Sequence, residues 1–350
     1  MTTNTAIVIK SRGVAELTSV TIPSLRDGYV LVKVKAVALN PTDVLHIDLL
    51  TAPGTRSGCD FAGVIYDVGP NVTKPFKNGD RVAGVVHGGN AVNNEDGAFA
   101  HYIVAKADLL LHIPNSLDFE KAATLGVGIT TVGQGLYQSL KLPLPDKPST
   151  NGESVLIYGG STATGALAIQ FAKLSGLKVV VTASPKHFDY VRGLGADVVF
   201  DYKSETLVEE LRKYTGGHLK HVFDCVSTED TARKSVSVLG AAGSYSGLRP
   251  LPDDVVAWIS GRAKYNMTLA YTAIGEAFQF GPQPFPANPE DAAFARDFWS
   301  LTERLLAEGK IRVHKPKVNA HGSGLAAVLK GLEEVRNGTV SGEKLVYTLD

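Results

Sequence analysis

The chain has 350 residues, of which 44% are hydrophobic and 20% charged, and its 35 basic and 35 acidic side chains cancel. This length exceeds the roughly 250–300 residues at which a single core stops growing, so we expect two domains. The balanced charge, without a basic run among aromatics, argues against a nucleic-acid partner. The first residues carry no basic-then-apolar leader and no long apolar run follows, so we expect a cytoplasmic protein with no membrane span.

The two cysteines, Cys59 and Cys225, lie far apart and outside any C-x-x-C motif. This usage argues against a disulfide scaffold and against a four-cysteine zinc lobe, and it indicates a reducing compartment. Neither cysteine has an evident base partner in its motif, so we interpret both as packing residues rather than nucleophiles.

Residues 1–120 have the pattern of a β-rich domain. The segments 29–37 and 60–68 are typical of strands, and a turn at 77–80 leads into another strand. The pattern becomes helical over 119–140. The proline-rich piece at 142–149 is a surface connector, because the next strand starts at once.

Residues 151–275 alternate between strands and helices, which predicts a doubly wound parallel sheet. A strand at 153–158 enters a turn of small residues, and an amphipathic helix follows at 166–174. The remaining predicted strands are 178–183, 198–202, 221–226, 243–246 and 267–272.

The turn after the strand at 153–158 has the residues of a dinucleotide site. Glycines allow a tight turn and close helix packing, and the first amides of the helix face a pyrophosphate. The middle glycine of the G-x-G-x-x-G pattern is replaced by threonine, so we expect hydroxyl groups to take over part of the backbone contact. The predicted contacts are Gly160, Ser161, Thr162, Ala163, Thr164 and Gly165.

The proline-rich segment 281–289 ends the alternation. A helix is predicted at 292–308, and the last forty residues have the pattern strand, helix, strand. The segments 246–258 and 275–285 are rich in glycine, proline and aromatics, which fits either the roof of an apolar pocket or the packing of a surface connection.

Motifs along the whole chain resemble the medium-chain dehydrogenase/reductase superfamily. They are ALNPTD at 38–43, GCDFAGV at 58–64, FKNGDRV at 76–82, the glycine turn and GEKLV at 342–346. Within the superfamily, the segments 125–131, 158–165, 222–227 and 269–272 are similar to fungal enoyl reductases that act in trans on polyketide synthases. The resemblance implies an α/β protein with a GroES-like β-barrel catalytic domain at 1–124 and 286–350, and a Rossmann-type cofactor domain at 125–285.

Zinc members of the superfamily bind the catalytic ion through three segments, which correspond here to Asn40, Cys59 and Val127. One thiol remains where about three protein ligands are required, so we expect no metal. Without a Lewis acid, hydride addition to an activated C=C bond suits the site better than alcohol oxidation.

The second cofactor strand ends without the carboxylate that would bind a ribose diol and repel a 2′-phosphate. Ser184 and Lys186 supply a hydrogen bond and a positive charge, and His187 can share this role. Tyr202 resembles the tyrosine that closes this pocket in related reductases. We therefore predict NADPH. The resemblance extends the cofactor contacts to Asp224, Cys225, Leu248, Tyr271 and Thr272.

The predicted reacting centre consists of hydroxyl and amide groups. Thr131 falls where superfamily members place a hydroxyl against the nicotinamide, and Thr130 beside it is a candidate donor to an enolate; the alternative is a helix N-cap. Asn40 and Thr42 are candidates for binding the substrate carbonyl. Asp43 is interpreted as a structural turn residue.

The chain differs from the resembled reductases at the expected proton donor. Fungal trans-acting reductases commonly have lysine where this chain has Leu45, and His46 follows. Either His46 substitutes for that lysine, or water protonates the enolate, or the reaction differs; these alternatives stay open.

The sequence thus predicts a monomeric, NADPH-dependent enoyl reductase. Its substrate would be an α,β-unsaturated polyketide thioester on the acyl carrier protein of a partner polyketide synthase or hybrid synthase. One alternative is a free-standing quinone or enone reductase of small molecules. A second, motivated by Leu45, is a redox-inactive protein that binds NADPH.

Overall fold

The computed structural model describes residues 3–349. Within this range the chain forms two compact units, the first from residues 3–130 and 271–349 and the second from residues 131–270. Residues 125–130 and 271–285, which were expected in the cofactor domain, lie in the first unit. No helix in residues 3–349 combines the length and apolar character needed to cross a membrane.

The first unit starts with an antiparallel pair of strands, β1 (Thr3–Ser11) and β2 (Val14–Thr21). Gly13 turns the chain between them with a φ of +79°, a conformation that glycine adopts without strain. The elements that follow are β3 (Tyr29–Ala38), α1 (Pro41–Asp48), β4 (Asp60–Val68), β5 (Arg81–Val85), β6 (Tyr102–Lys106), a 3₁₀ turn (Ala107–Leu109), β7 (Leu110–His112), α2 (Phe119–Ala122) and α3 (Gly126–Val132). The last two residues of α3 belong to the second unit.

The second unit is a parallel sheet with intervening helices. Its elements are a π-helical segment (Gly133–Ser139), β8 (Ser154–Tyr158), α4 (Ala163–Leu174), β9 (Lys178–Ala183), a 3₁₀ turn (Pro185–His187), α5 (Phe188–Gly193), β10 (Val198–Asp201), α6 (Leu207–Thr215), β11 (His221–Asp224), α7 (Glu229–Ser237), β12 (Ser244–Gly247), α8 (Asp253–Ser260) and β13 (Lys264–Met267).

The strand order of this sheet is β10-β9-β8-β11-β12-β13, and all pairs are parallel. Numbered within the unit, this is the order 3-2-1-4-5-6 of doubly wound dinucleotide-binding sheets, in which ligands bind beyond the carboxyl ends of the first and fourth strands. The predicted α/β class with a doubly wound sheet is therefore confirmed. The inner strands are apolar because they are buried, as in β9 with five consecutive buried residues.

The predicted strand at 267–272 is wrong. The last strand of the sheet is β13, which ends at Met267, and a 3₁₀ turn (Ala270–Ile274) follows. As an edge strand, β13 is only half buried and includes the exposed residues Lys264 and Asn266. It therefore lacks the apolar run that marks an inner strand.

The chain then returns to the first unit with β14 (Phe278–Phe280), β15 (Gln283–Phe285), α9 (Pro289–Ala307), β16 (Pro316–Val318), α10 (Leu325–Arg336) and β17 (Lys344–Thr348). β17 pairs antiparallel with β3, in the register Val346 to Ala38. The sheet order is β16-β17-β3-β4-β5-β7, and β6 also pairs with β3. The pairing of β17 with β3 brings the GEKLV motif at 342–346 next to the loop that carries Asn40.

Each unit has its own hydrophobic core. The first is built on buried side chains of β1, β3, β4 and α10, among them Ile7, Val32, Phe61 and Val328. The second core lies around Leu156, Val180, Val222 and Tyr245.

Candidate active site

The turn between β8 and α4 in the second unit is tightly packed. Gly159 has a φ of +81°, and a Cβ on it would meet the Val226 side chain at 2.6 Å. A Cβ on Gly165 would lie 2.3 Å from the Gly159 carbonyl oxygen. Glycine is required at both positions, because the helix approaches the strand so closely.

Thr162 is the N-cap of α4. Its hydroxyl accepts the Gly165 amide at 3.0 Å and donates to the Gly159 carbonyl at 2.9 Å. This hydroxyl therefore holds the turn. The Ser161 and Thr164 hydroxyls have no hydrogen-bond partner among residues 3–349, so they remain as donors beside the helix N-terminus.

The carboxyl ends of β9 and β10 carry the residues predicted to read the adenosine ribose. Ala183 and Asp201 are in register, so Ser184 and Tyr202 follow neighbouring strands. Lys186 is exposed and Tyr202 is 39% exposed. Lys203, which was not among the predicted contacts, lies beside Tyr202, with its ammonium 5.8 Å from the centre of the ring. Two exposed lysines thus follow the carboxyl ends of these neighbouring strands, next to the half-buried Asp201 at the end of β10.

Asp224 ends β11 and has no exposed surface. Its carboxylate accepts the Val226 and Ser227 amides at 2.9 Å each, and the Thr231 and Tyr245 hydroxyls at 2.7 and 3.0 Å. Burial raises the pKa of this carboxyl against those hydrogen bonds. The Asp224 side chain therefore fixes the loop that follows β11. A cofactor at this predicted position would contact the backbone of Asp224 rather than its carboxylate.

Two other predicted cofactor contacts, Leu248 and Cys225, lie in the same unit. The Leu248 amide donates to the Ser227 hydroxyl at 2.7 Å. Burial raises the pKa of Cys225 well above the usual thiol value, so this thiol stays neutral, as expected of a packing residue.

In the first unit, a buried ion pair links the three segments that correspond to metal-binding positions. Lys344, 4% exposed, donates to Asp60 at 2.5 Å and to the Asn40 amide oxygen at 2.9 Å. The second Asp60 oxygen accepts the Val127 amide at 2.6 Å. One charge pair thus fixes the loop of Asn40, the strand that follows Cys59 and the first turn of α3.

A second buried cluster lies nearby in the same unit and consists of Thr42, His46, Cys59, His87 and Tyr271; we call it the Tyr271 cluster. The Tyr271 hydroxyl lies 2.7 Å from the Thr42 hydroxyl and 3.8 Å from the Cys59 sulfur. His87 stacks on the Tyr271 ring at 3.9 Å, and His46 meets it edge-on at 5.3 Å.

Both histidines of the Tyr271 cluster are nearly inaccessible, with 3% and 1% exposure. Burial lowers the pKa of His46 and lowers that of His87 further. Burial also raises the pKa values of Cys59 and Tyr271 well above their usual values. All four side chains are therefore neutral at physiological pH.

The predicted N-cap alternative for Thr130 and Thr131 does not hold, because both lie inside α3. Thr130 is 3% exposed and its oxygen accepts the Trp299 indole N–H at 3.1 Å. Thr131 is 6% exposed, and its hydroxyl has no partner among residues 3–349. Each threonine therefore keeps a hydroxyl proton that it can donate.

Asp43 is structural, but in another way than predicted. It lies in the first turn of α1 and its carboxylate accepts the backbone N–H of Asn40 at 2.7 Å, as in a capping box. Burial raises its pKa to about 7. Thr272, predicted to contact the cofactor, lies in the first unit and its hydroxyl donates to Asp291.

The residues present do not fit a catalytic zinc ion. The Asn40 oxygen is occupied by Lys344, Val127 offers no ligand atom, and the Cys59 thiol is neutral. Among residues 3–349, no group of three or more histidine, cysteine or acidic side chains is placed to hold a metal.

Comparisons with known proteins cover most of the chain. A family model described as alcohol dehydrogenase GroES-like domain matches residues 26–115, and one described as zinc-binding dehydrogenase matches residues 163–248. The second range contains none of the three positions that correspond to metal ligands, Asn40, Cys59 and Val127.

Curated relatives match over nearly the full length. A trans-enoyl reductase of Aspergillus sclerotiorum is 47% identical over 93% of this chain and 94% of its own. A trans-enoyl reductase of Alternaria alternata is 44% identical over 100% of both chains. One of Cochliobolus carbonum is 50% identical over 82% of this chain and 97% of its own.

Solved structures agree on the fold. A putative zinc-dependent alcohol dehydrogenase of Rhizobium etli has a TM-score of 0.82 at 24% identity, covering 100% of this chain and 99% of that one. The CurK enoyl reductase has a TM-score of 0.78 at 21% identity, covering 99% of each chain. Together with the matched GroES-like domain, they confirm the two predicted fold types.

Proposed function

Because the chain belongs to the medium-chain dehydrogenase/reductase superfamily, and within it to the trans-enoyl reductases, we propose that it reduces enoyl thioesters with NADPH. The comparisons confirm the predicted family and the enzyme class, an oxidoreductase acting on a C=C bond. The choice of NADPH, the site residues and the partner are the parts we propose. The observation that carries the proposal is full-length identity of 44% to a trans-enoyl reductase.

NADPH is supported by the edge formed by β9 and β10. Ser184 follows β9 directly, no carboxylate occurs in 184–188, and Lys186 and Lys203 bring positive charge. A 2′-phosphate fits such an edge better than a bare ribose diol does. The Gly159–Gly165 turn and the free hydroxyls of Ser161 and Thr164 would hold the pyrophosphate.

When bound, NADPH supplies a hydride to the β-carbon of the substrate. The residues of the chain stabilise the negative charge that develops on the thioester oxygen. Thr130 and Thr131 keep hydroxyl protons that they can donate, and the side-chain amide nitrogen of Asn40 is buried without a partner among residues 3–349. We propose these three as donors to substrate, since preorganised donors of this kind lower the barrier to enolate formation.

For the proton donor to carbon we propose water. The His46 Nδ1 lies 2.8 Å from the Thr42 carbonyl oxygen, which can only accept, so its proton is already engaged. Burial lowers the pKa of His46, which makes an imidazolium donor unfavourable at neutral pH. Leu45 offers no proton in place of the usual lysine.

The proposed substrate is an acyl chain carried by a partner polyketide or hybrid synthase, and the chain is proposed to act as a monomer in the cytoplasm. The test compares NADPH oxidation with an enoyl chain on an acyl carrier protein, a pantetheine enoyl thioester and a small quinone. We expect kcat/KM to be highest for the carrier-bound chain. A preference for the quinone would favour the free-standing reductase, and NADPH binding without any turnover would favour the redox-inactive protein.

A further inference from the structure

We propose that the Tyr271 hydroxyl donates a hydrogen bond to the substrate thioester oxygen, and that Thr42 and His46 orient it for this role. Tyr271 was expected to contact the cofactor, but its hydroxyl lies within the Tyr271 cluster of the first unit. The inference rests on the proposed enoyl reduction and adds a catalytic residue to it.

The first bond of this hydrogen-bond chain, between His46 and the backbone, has a fixed direction. The Thr42 carbonyl oxygen is only an acceptor, so the His46 Nδ1 that lies 2.8 Å from it carries the proton. The Thr42 hydroxyl oxygen lies 3.4 Å from the same Nδ1, which is a longer contact than the one to the carbonyl oxygen. The Nδ1–H therefore bonds mainly to the carbonyl oxygen, and this bond holds the imidazole beside the Thr42 hydroxyl.

The next link is the 2.7 Å contact between the Thr42 and Tyr271 hydroxyls. Either hydroxyl can donate in this contact, because each oxygen also has lone pairs that accept. In the arrangement that belongs to the proposal, the Thr42 proton points to the Tyr271 oxygen, and the phenolic proton is left to be donated to substrate. Within residues 3–349 the other neighbour of this hydroxyl is the Cys59 sulfur at 3.8 Å, a weak acceptor.

The ring is held so that the hydroxyl keeps its place. His87 stacks on Tyr271 at an interplanar angle of 17°, and His46 and Phe278 pack against it at 87° and 62°. Burial raises the pKa of Tyr271 well above the usual value, so the phenol stays protonated and acts as a donor rather than a base. A residual 6% of its surface is exposed.

One proton and two electrons arrive together as hydride at the β-carbon, the C=C electron pair shifts toward the carbonyl, and negative charge forms on the thioester oxygen. Tyr271 donates a hydrogen bond to that oxygen and keeps its proton. A proton from water then bonds to the α-carbon, the carbonyl reforms, and NADP⁺ and the saturated thioester leave.

The first test uses Tyr271→Phe with crotonyl pantetheine thioester. Loss of one oxyanion donor should lower kcat by about 10²- to 10³-fold, with KM and NADPH affinity changed less than about twofold. The matched control is Tyr137→Phe, because Tyr137 is also a buried phenol bonded to a hydroxyl, Ser175, at 2.9 Å. We expect this control to keep the wild-type kcat.

The second test addresses orientation. Thr42→Val should lower kcat, and the double variant Thr42→Val/Tyr271→Phe should be no slower than Tyr271→Phe alone, because the two residues act as one unit. His46→Asn, which retains an N–H near the Nδ1 position, should keep more activity than His46→Leu. Independent, multiplying losses in the double variant would overturn the chain of bonds.

A third readout does not require turnover. Acetoacetyl pantetheine ionises to an enolate that absorbs in the near ultraviolet, and a donor aimed at its oxygen should raise the enolate absorbance on binding to the wild-type protein but not to Tyr271→Phe. Wild-type kcat and wild-type enolate absorbance in Tyr271→Phe would overturn the inference alone. A wild-type protein that reduces no enoyl thioester would overturn the proposed function and this inference together.

Discussion

Replacing Lys344 by methionine should destabilise the first unit severely. The side chain is 4% exposed and its partner Asp60 is 0% exposed, so the carboxylate would stay buried without its counter-charge. Removing one partner of such a pair costs about 3–5 kcal/mol. The Asn40 amide oxygen and the Thr124 carbonyl oxygen also lose a donor. We expect a loss at the upper end of that range.

Lys315→Met is the matched control. Lys315 pairs with Glu343 at 2.6 Å, but the two side chains are 66% and 32% exposed. Exposed pairs contribute about 0–1 kcal/mol, because water and salt screen them. The two variants remove the same charge from the same region and differ mainly in burial.

The assay is urea unfolding followed by tryptophan fluorescence. The chain has two tryptophans, and Trp299 is fully buried in the first unit whereas Trp258 lies in the second. A Trp258→Phe background therefore reports on the unit that contains Lys344, which matters because two units need not unfold together. A loss below about 1 kcal/mol, equal to that of the control, would refute the reasoning. Adding Asp60→Asn to Lys344→Met should recover part of the loss, since no buried charge remains.

Four further outcomes follow from the site. Lys186→Ala should remove about 1–3 kcal/mol of the preference for NADPH over NADH, and equal wild-type affinities for the two cofactors would contradict the assignment. Thr131→Val should lower turnover by about tenfold to a thousandfold while the NADPH dissociation constant, measured by fluorescence, changes little; an unaffected kcat would remove Thr131 from the donors. Trp299→Phe should lower kcat through the loss of its bond to Thr130, and it should add nothing in a Thr130→Val background, where an additive loss would point to misfolding instead. The pKa of Asp43, raised to about 7 by burial from 3.8, means that the folded state holds this proton more tightly. The stabilisation from this proton is full at low pH and is lost as the pH rises toward 7. The free energy of unfolding of the wild type, measured in urea relative to Asp43→Asn, should therefore fall by up to about 4 kcal/mol between pH ~4 and pH ~8. A difference that does not change with pH would contradict the shift.

The nucleotide-binding sheet could be predicted well because its inner strands are buried on both faces. β9 was predicted with its observed bounds, and β8 within a residue of them. The edge strand β13 was missed because alternate residues are exposed. The apolar residues after it misled the prediction, since Tyr271 owes its burial to the Tyr271 cluster of the first unit rather than to the sheet.

The polar networks of the first unit could not be predicted, because their members are distant in sequence. Asp60 and Lys344 are 284 residues apart, and no local pattern couples them. The signal available was a lysine at the start of the mostly buried strand β17. The corresponding signal for His87 was a histidine placed between the end of a strand and two glycines.

The most direct test of the central claim follows the label from NADPH carrying deuterium at the transferable position of C4. After reaction with crotonyl pantetheine thioester in ordinary water, mass spectrometry and NMR of the product locate the deuterium. The account predicts a saturated butyryl thioester with one deuterium at the β-carbon and a hydrogen from water at the α-carbon. Deuterium at the carbonyl carbon, or no transfer of label from NADPH, would contradict it.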